Sequence, residues 1–261
     1  MKHLIYVFIA ASLMLASCEK NALTIPVDPV TSGARLKLIN VAPDLPGGIE
    51  LAVNGKKFSA FTPSGVTASS SGFAVGLPYN NSFPSSGSNY AIVSPGAVSL
   101  SLTSPATTTT ASATAVGSSS ATLDDNVYYS LFVSGTGVQP ETTLLKDDFT
   151  QLNSSSKVYV RFVNMIPNGP ATGYDLFILS ADGKTATPVA QAIAYKGASS
   201  FVTLDAFTNP TLALRLPGAT TNVGTVVFSN IANGRVLTVF ARGLVGRTGA
   251  TAASLNLYVN R

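Results

Sequence analysis

Histidine and cysteine each occur once in 261 residues, and tryptophan does not occur at all. The histidine is His3 and the cysteine is Cys18, both close to the start. If that start is cleaved or modified, the remaining chain has neither imidazole nor free thiol. Ser-His-Asp and Cys-His catalysis then lack their base, zinc sites of the Cys/His type lack their ligands, and the side chain that titrates nearest neutral pH is gone. With no second cysteine there is no internal disulfide, so the core alone must hold the fold. Without tryptophan the usual flat platform for a sugar ring is missing.

Charge is scarce as well. Only 11% of the residues are Asp, Glu, Lys or Arg, with a net charge of +4, or +3 once Lys2 is lost. The basic residues are scattered: Arg35 and Lys37 alternate along one strand, and Lys56 and Lys57 sit at a turn. No dense patch with interleaved aromatics occurs, which argues against nucleic acid as a partner. The charge is expected to serve solubility.

What is present begins with an address. Met1-Lys2-His3 leads into an apolar run from Leu4 to Leu15, the n-region and h-region of a secretory signal. The run is too short to span a bilayer, which takes ~20 residues. Leu15-Ala16-Ser17-Cys18 then resembles the lipobox of bacterial lipoproteins. The resemblance implies cleavage after residue 17 and acylation (palmitate among the chains) of Cys18. Each buried CH₂ contributes ~0.8 kcal/mol, so two or three chains anchor firmly where one binds reversibly. The other reading is an ordinary signal peptide that happens to hold a cysteine. Residues 18–33, with prolines at 26 and 29, form an extended tether.

The remainder is written twice. "LKLINVAP" (36–43) matches "VRFVNMIP" (160–167), "IELAV" (49–53) matches "YDLFI" (174–178), and "YYSLFVSG" (128–135) matches "VLTVFARG" (236–243). Three matches in one order argue for a duplicated unit. Each unit reads as strands: Leu36 and Leu38 alternate with Arg35 and Lys37, and Val158, Val160 and Phe162 face inward with Arg161 outward. Asn54-Gly55 is a type I′ hairpin signal, and "ADGK" (181–184) is expected to play the same part in the second unit. Prolines at 43, 46, 167 and 170 end the first strand of each unit. The Ser/Thr-rich stretch 103–122 is either an extended hairpin or a loose loop. No segment carries a sustained helical stripe. The expected fold is all-β: two tandem immunoglobulin-like β-sandwich domains, 34–150 and 157–261, joined by a linker at 151–156.

"ARLKLINVAPDLPGGIELAVNG" at the opening, "YAIVSPG" (90–96) and "YYSLFVSG" together resemble the bacterial extracellular domain of unknown function 4397. The resemblance spans about residues 34–261 and implies a sandwich fold, tandem copies and lipoproteins of Bacteroidetes-type bacteria. It carries no catalytic residues. The second unit departs from the pattern with Asn168 where the first has Asp44.

Three groups of residues are candidates for function. Asp124-Asp125 and Asp147-Asp148 are loop acids of the type that hold calcium through 6–8 oxygens, or that close turns through their own backbone bonds. Asp44 and Glu50 flank one loop as a glycosidase pair would. The second unit offers Asp175 opposite Glu50 but only Asn168 opposite Asp44, which points to structural use. Tyr79, Phe83 and Tyr90 lie in a polar stretch, where they either contact a ligand or close the core. The function expected is that of a lipid-anchored, non-enzymatic envelope protein with a structural or adhesion-like binding role, needing no cofactor and no metal. Its partners are then the membrane, through the lipid, and another envelope protein or a glycan. The alternatives are a glycan-binding accessory of a polysaccharide-uptake system and a carboxylate-based hydrolase. Glu19 after the cysteine, in place of an Asp-type retention signal, favours the outer membrane and leaves periplasmic and surface faces both open.

Overall fold

The structure is a computed structural model that describes residues 31–45, 47–59, 76–85, 87–106, 112–205, 210–228 and 232–261. The signal segment, Cys18 and all but the end of the tether lie outside the described residues. Residues Ser32–Arg261 form one compact unit.

Among the described residues the unit is all-β, with one short 3-10 turn at Gly249–Thr251. Its first part holds β1 (Ala34–Asn40), β2 (Glu50–Val53), β3 (Lys56–Lys57), β4 (Asn81–Phe83), β5 (Ala91–Val93), β6 (Gly96–Ser104), β7 (Thr114–Leu123), β8 (Tyr128–Ser134) and β9 (Glu141–Asp147). Its second part holds β10 (Lys157–Asn164), β11 (Tyr174–Leu179), β12 (Ala186–Ile193), β13 (Val202–Asp205), β14 (Thr211–Arg215), β15 (Asn222–Val227), β16 (Val236–Arg242) and β17 (Ser254–Val259).

These strands make two sandwiches of the same plan. In the first, β4-β1-β8-β9, with β5 also on β1, faces β3-β2-β6-β7. In the second, β13-β10-β16-β17 faces β12-β11-β14-β15. The neighbours β5-β1 and β3-β2-β6-β7 are those of the immunoglobulin strands E-B and C′-C-F-G. The place beside β1 is taken by β8, which runs parallel to it, and β16 lies parallel to β10 in the same way. Period-two alternation builds both cores. Leu36, Leu38, Leu51, Leu100, Leu102 and Leu131 are buried in the first, and Val160, Phe162, Leu176, Leu212, Leu214 and Val239 in the second.

Local chemistry repeats with the plan. Asn40 ends β1 by donating from Nδ2 to the Leu77 carbonyl (2.8 Å) while its Oδ1 accepts from the Ala42 N–H (3.0 Å). Asn164 does the same for β10 with the Ile193 carbonyl (2.9 Å) and the Ile166 N–H (3.0 Å). The shared asparagine of "LINVAP" and "FVNMIP" is therefore a buried strand cap. Gly48 and Gly173 enter β2 and β11 with φ of 68° and 76°, where a Cβ would run into the carbonyls of Leu77 and Ile193.

Asn54 and Gly55 have φ of 50° and 72° and form the expected two-residue hairpin between β2 and β3. "ADGK" differs. It lies in a longer loop closed by Asp182, whose Oδ1 accepts from the Ser180 hydroxyl (2.6 Å) and the Lys184 N–H (3.1 Å). In the stretch 103–122 the described residues belong to the β6–β7 pair, which runs from Gly96–Leu123 up to Ser104–Thr114, and residues 107–111 lie outside the described residues.

Candidate functional site

The outer faces of β1-β8-β9 and β10-β16-β17 pack on each other. Ile39, Val41 and Phe132 meet Val163, Met165, Phe240 and Tyr258 in a third apolar cluster. Phe132 contacts its counterpart Phe240 edge-on, with centroids 5.7 Å apart. Tyr79 and Tyr195 are also counterparts, since each precedes a residue of positive φ (Asn80, 63°; Lys196, 65°) whose N–H bonds the carbonyl of the strand-ending Asn40 or Asn164. Tyr79 Oη accepts from Arg242 (3.0 Å) across the seam, and Tyr195 Oη bonds Ser134 (2.9 Å) in the opposite direction. The sandwiches are thus related by an approximate twofold axis, as in an isologous dimer.

This packing corrects the outward placement of Lys37 and Arg161. Both face the seam and are buried, at 1% and 3% exposure. Arg161 Nη2 pairs with Asp147 Oδ1 at 2.6 Å and bonds Thr238 Oγ1 at 3.0 Å. Asp147 Oδ2 accepts from Ser130 (2.6 Å) and Tyr90 (2.8 Å), and Tyr90 Oη accepts from Asn260 Nδ2 (2.8 Å). Tyr258 donates to Ser130 at 2.7 Å. Lys37 Nζ donates to the Gly87 carbonyl at 3.1 Å and lies 5.1 Å and 5.8 Å from the ring centres of Tyr90 and Tyr258. Burial pushes the Lys37 ammonium down to about 8 against the pull of Asp147. Burial, followed by Asp147, raises Tyr258 to about 12 and holds Tyr90 protonated. For Arg161, burial opposes the charge, but Asp147 together with Tyr258 and Tyr90 outweighs it and raises its titration.

Tyr90 belongs to the seam network, Tyr79 stacks under Arg242 across the seam, and Phe83 packs edge-on against Phe58 (5.4 Å) on the first core. Asp124 bonds the Tyr129 hydroxyl (3.1 Å) and pairs with Lys146 (3.5 Å), Asp125 accepts from the Gly33 N–H (2.5 Å), and Asp148 closes a turn on Thr150. Among the described residues, no group of three or more His, Cys, Asp or Glu is placed to hold a metal ion. Asp44 and Glu50 have separate partners: Glu50 pairs with Lys57 at 2.5 Å, and Asp44 accepts from the Gly137 N–H (2.8 Å) and pairs with Arg247 (2.8 Å). Asp175 is buried and accepts from the Ala192 N–H at 2.7 Å. Asn168 caps Val245 as Asp44 caps Gly137, with Oδ1 accepting at 2.9 Å and Nδ2 donating back to the Val245 carbonyl at 3.0 Å. The Asp-to-Asn difference keeps the cap and drops the charge.

One region that sequence reasoning missed stands out. Each sandwich has a cleft at the same end, under the loops that follow β1 and β8 in the first and β10 and β16 in the second. The first, about 320 Å³, is lined by Leu45, Val116 and Val138. The second, about 570 Å³, is lined by Tyr174, Leu216, Val223, Leu244, Val245 and Arg247. The Asp44–Arg247 pair lies between them and brings the two loop ends together. Of seven exposed large apolar residues among the described ones, four (Val138, Leu216, Val223 and Val245) line these clefts. Isolated valines in turns give no periodic signal. Only their convergence marks a patch. The chain enters at the opposite end, where Gly33 is tied to Asp125, and β1 runs away from that point for seven residues, about 23 Å at strand rise.

A family profile described as "Domain of unknown function (DUF4397)" matches residues 34–174. The chain belongs to this family. The match is shorter than the extent expected from the sequence: it runs from β1 through the first sandwich to the first residue of β11. No curated protein matches the chain. Among solved structures it is similar to a carbohydrate-binding module of family CBM26 from Eubacterium rectale in complex with maltoheptaose (12% identity, 86% of this chain and 96% of that one, TM-score 0.27). It is also similar to a Bacteroides fragilis protein described as a cell adhesion protein (9% identity, 87% and 98%, TM-score 0.24) and to a streptococcal virulence factor that binds alpha-glucan (11% identity, 81% and 92%, TM-score 0.24). At these scores the likenesses carry no argument about what this DUF4397 protein binds. No helix among the described residues is long and apolar enough to cross a membrane.

Proposed function

We propose that this DUF4397 protein is a binding protein of the bacterial envelope that works without catalysis. In this reading residues 1–17 are removed, Cys18 carries the lipid in the outer membrane, and two tandem domains (34–150 and 157–261) stand on the tether. The observation that carries the reading is the concentration of exposed aliphatic side chains at the end of the body farthest from Gly33. An anchored protein meets its partner at its free end, on loops held by a rigid scaffold. The side chains that chemistry could have used (Asp44, Glu50, Asp147 and Asp175) are engaged in caps and ion pairs instead.

Two measurements test this. Cys18→Ser is expected to release the protein from the membrane fraction, and unchanged partitioning would remove the anchor. A photo-crosslinking residue at Val138 or Val245 is expected to capture partners in intact envelopes, where the same residue at Ile92, exposed near the entry end, captures none. Equal capture at both ends would remove the binding role of the free end.

A further inference from the structure

The charged and amide side chains at the junction of the two clefts are already engaged. Both ends of the Asn168 amide are bonded to the Val245 backbone, and Asp44 is shared between Gly137 and Arg247. The aromatic ring of the second cleft, Tyr174, is 1% exposed. Neither cleft offers an open ring face against which a sugar could be oriented. The surface presents aliphatic side chains, with Val138 at 63% and Val245 at 47% exposure. Between them lies a single ion pair whose side chains remain 47% (Arg247) and 17% (Asp44) accessible.

A patch with one cation, one anion and flanking aliphatics complements its own copy under a twofold rotation. Arg247 of each molecule then faces Asp44 of the other, and each valine cluster covers the opposite one. Closed twofold contacts use the same patch on both subunits. The approximate twofold axis within the chain already brings the two clefts side by side at this end, where a second, perpendicular twofold would pass between them.

We infer that the loop end is a self-association surface through which two copies of this chain meet head to head. The inference rests on the reading that this end is the binding end, and it names the partner. Two molecules joined this way have their chain-entry ends pointing in opposite directions, which suits contact between facing membranes.

The test uses the chain from residue 18 onward with Cys18→Ser, so that acyl groups do not drive association. Sedimentation equilibrium is expected to show a monomer–dimer equilibrium that Val245→Asp weakens at least tenfold. Arg247→Asp and Asp44→Arg are each expected to be monomeric alone, with two like charges facing two like charges, and to associate when mixed. Circular dichroism melts verify that each variant is folded. A monomeric parent at all concentrations, or a mixture of the charge variants that stays monomeric, would overturn the inference. If the parent is monomeric while Val245 still crosslinks to other envelope proteins, the binding end stands and self-association falls. If Val245 crosslinks to nothing, both fall.

Discussion

The two sandwiches use matched positions at the seam but do not balance their charges alike. Lys37 and Arg161 occupy matched positions on β1 and β10, and Asp147 and Asn260 occupy matched positions at the ends of β9 and β17. One acid therefore serves two buried cations, and it is bonded to the arginine at 2.6 Å. The guanidinium forks onto Asp147 and Thr238 at once, as a planar multi-donor group can. The lysine reaches one carbonyl and two ring faces. A duplicated unit packed on its copy would put like charges near like charges. Both cations are present but only one acid faces them, so the seam holds the buried Arg161–Asp147 pair and a lysine bonded to a carbonyl.

The comparison can be broken most severely at Asp147. Asp147→Asn leaves Arg161 charged and buried without its partner, for an expected loss of about 3–5 kcal/mol. Asn260→Ala, at the matched position, removes only neutral hydrogen bonds and is expected to lose about 1–3 kcal/mol. Urea unfolding of the two variants measures the gap, and equal losses would mean the seam is not polarised as the geometry indicates.

A smaller effect comes from Lys37. Its folded titration point is lowered from 10.5 to about 8, so between those values the unfolded chain holds a proton that the folded chain has released. Stability is therefore expected to rise as pH climbs from about 8 toward 10.5 and to be flat from this source below 8. Lys37→Met should abolish the rise and be the more stable form near neutral pH, by about 2 kcal/mol after allowance for screening. Melting temperature against pH for the two proteins checks the sign.

The smallest change copies one unit into the other. Asp44→Asn reproduces Asn168, keeping the cap on Gly137 and losing the partly exposed pair with Arg247. It should reduce stability by under about 1 kcal/mol, whereas Asp44→Ala, which removes the cap as well, should reduce it by more. Thermal melts that fail to separate the two would make the cap irrelevant.

Much of the fold was legible before any coordinates. "LKLINVAP" and "VRFVNMIP" carry their strands in a period of two and their shared cap in one asparagine, because pleat and cap are local devices. Asn54-Gly55 announces its hairpin through the φ > 0 that both positions need. "ADGK" misled because a side-chain bond from Asp182 closes a wider loop than its Asp-Gly pair requires. Lys37 and Arg161 read as solvent-facing because alternation gives the face on which a residue lies but not what covers that face. The clefts stayed hidden because Leu45, Val138, Leu216 and Val245 lie far apart along the chain and none belongs to a pattern.

By itself, then, the chain's order of residues determined the strands, their caps and the scarcity of groups for catalysis, since each of these is set by residue type or by neighbours within a few positions. Only the tertiary structure decided that the two sandwiches close on each other, burying Lys37, Arg161 and Asp147 in one seam and leaving four aliphatic side chains exposed at the free end. Burial and convergence depend on which face meets which, and that is a property of the packed whole.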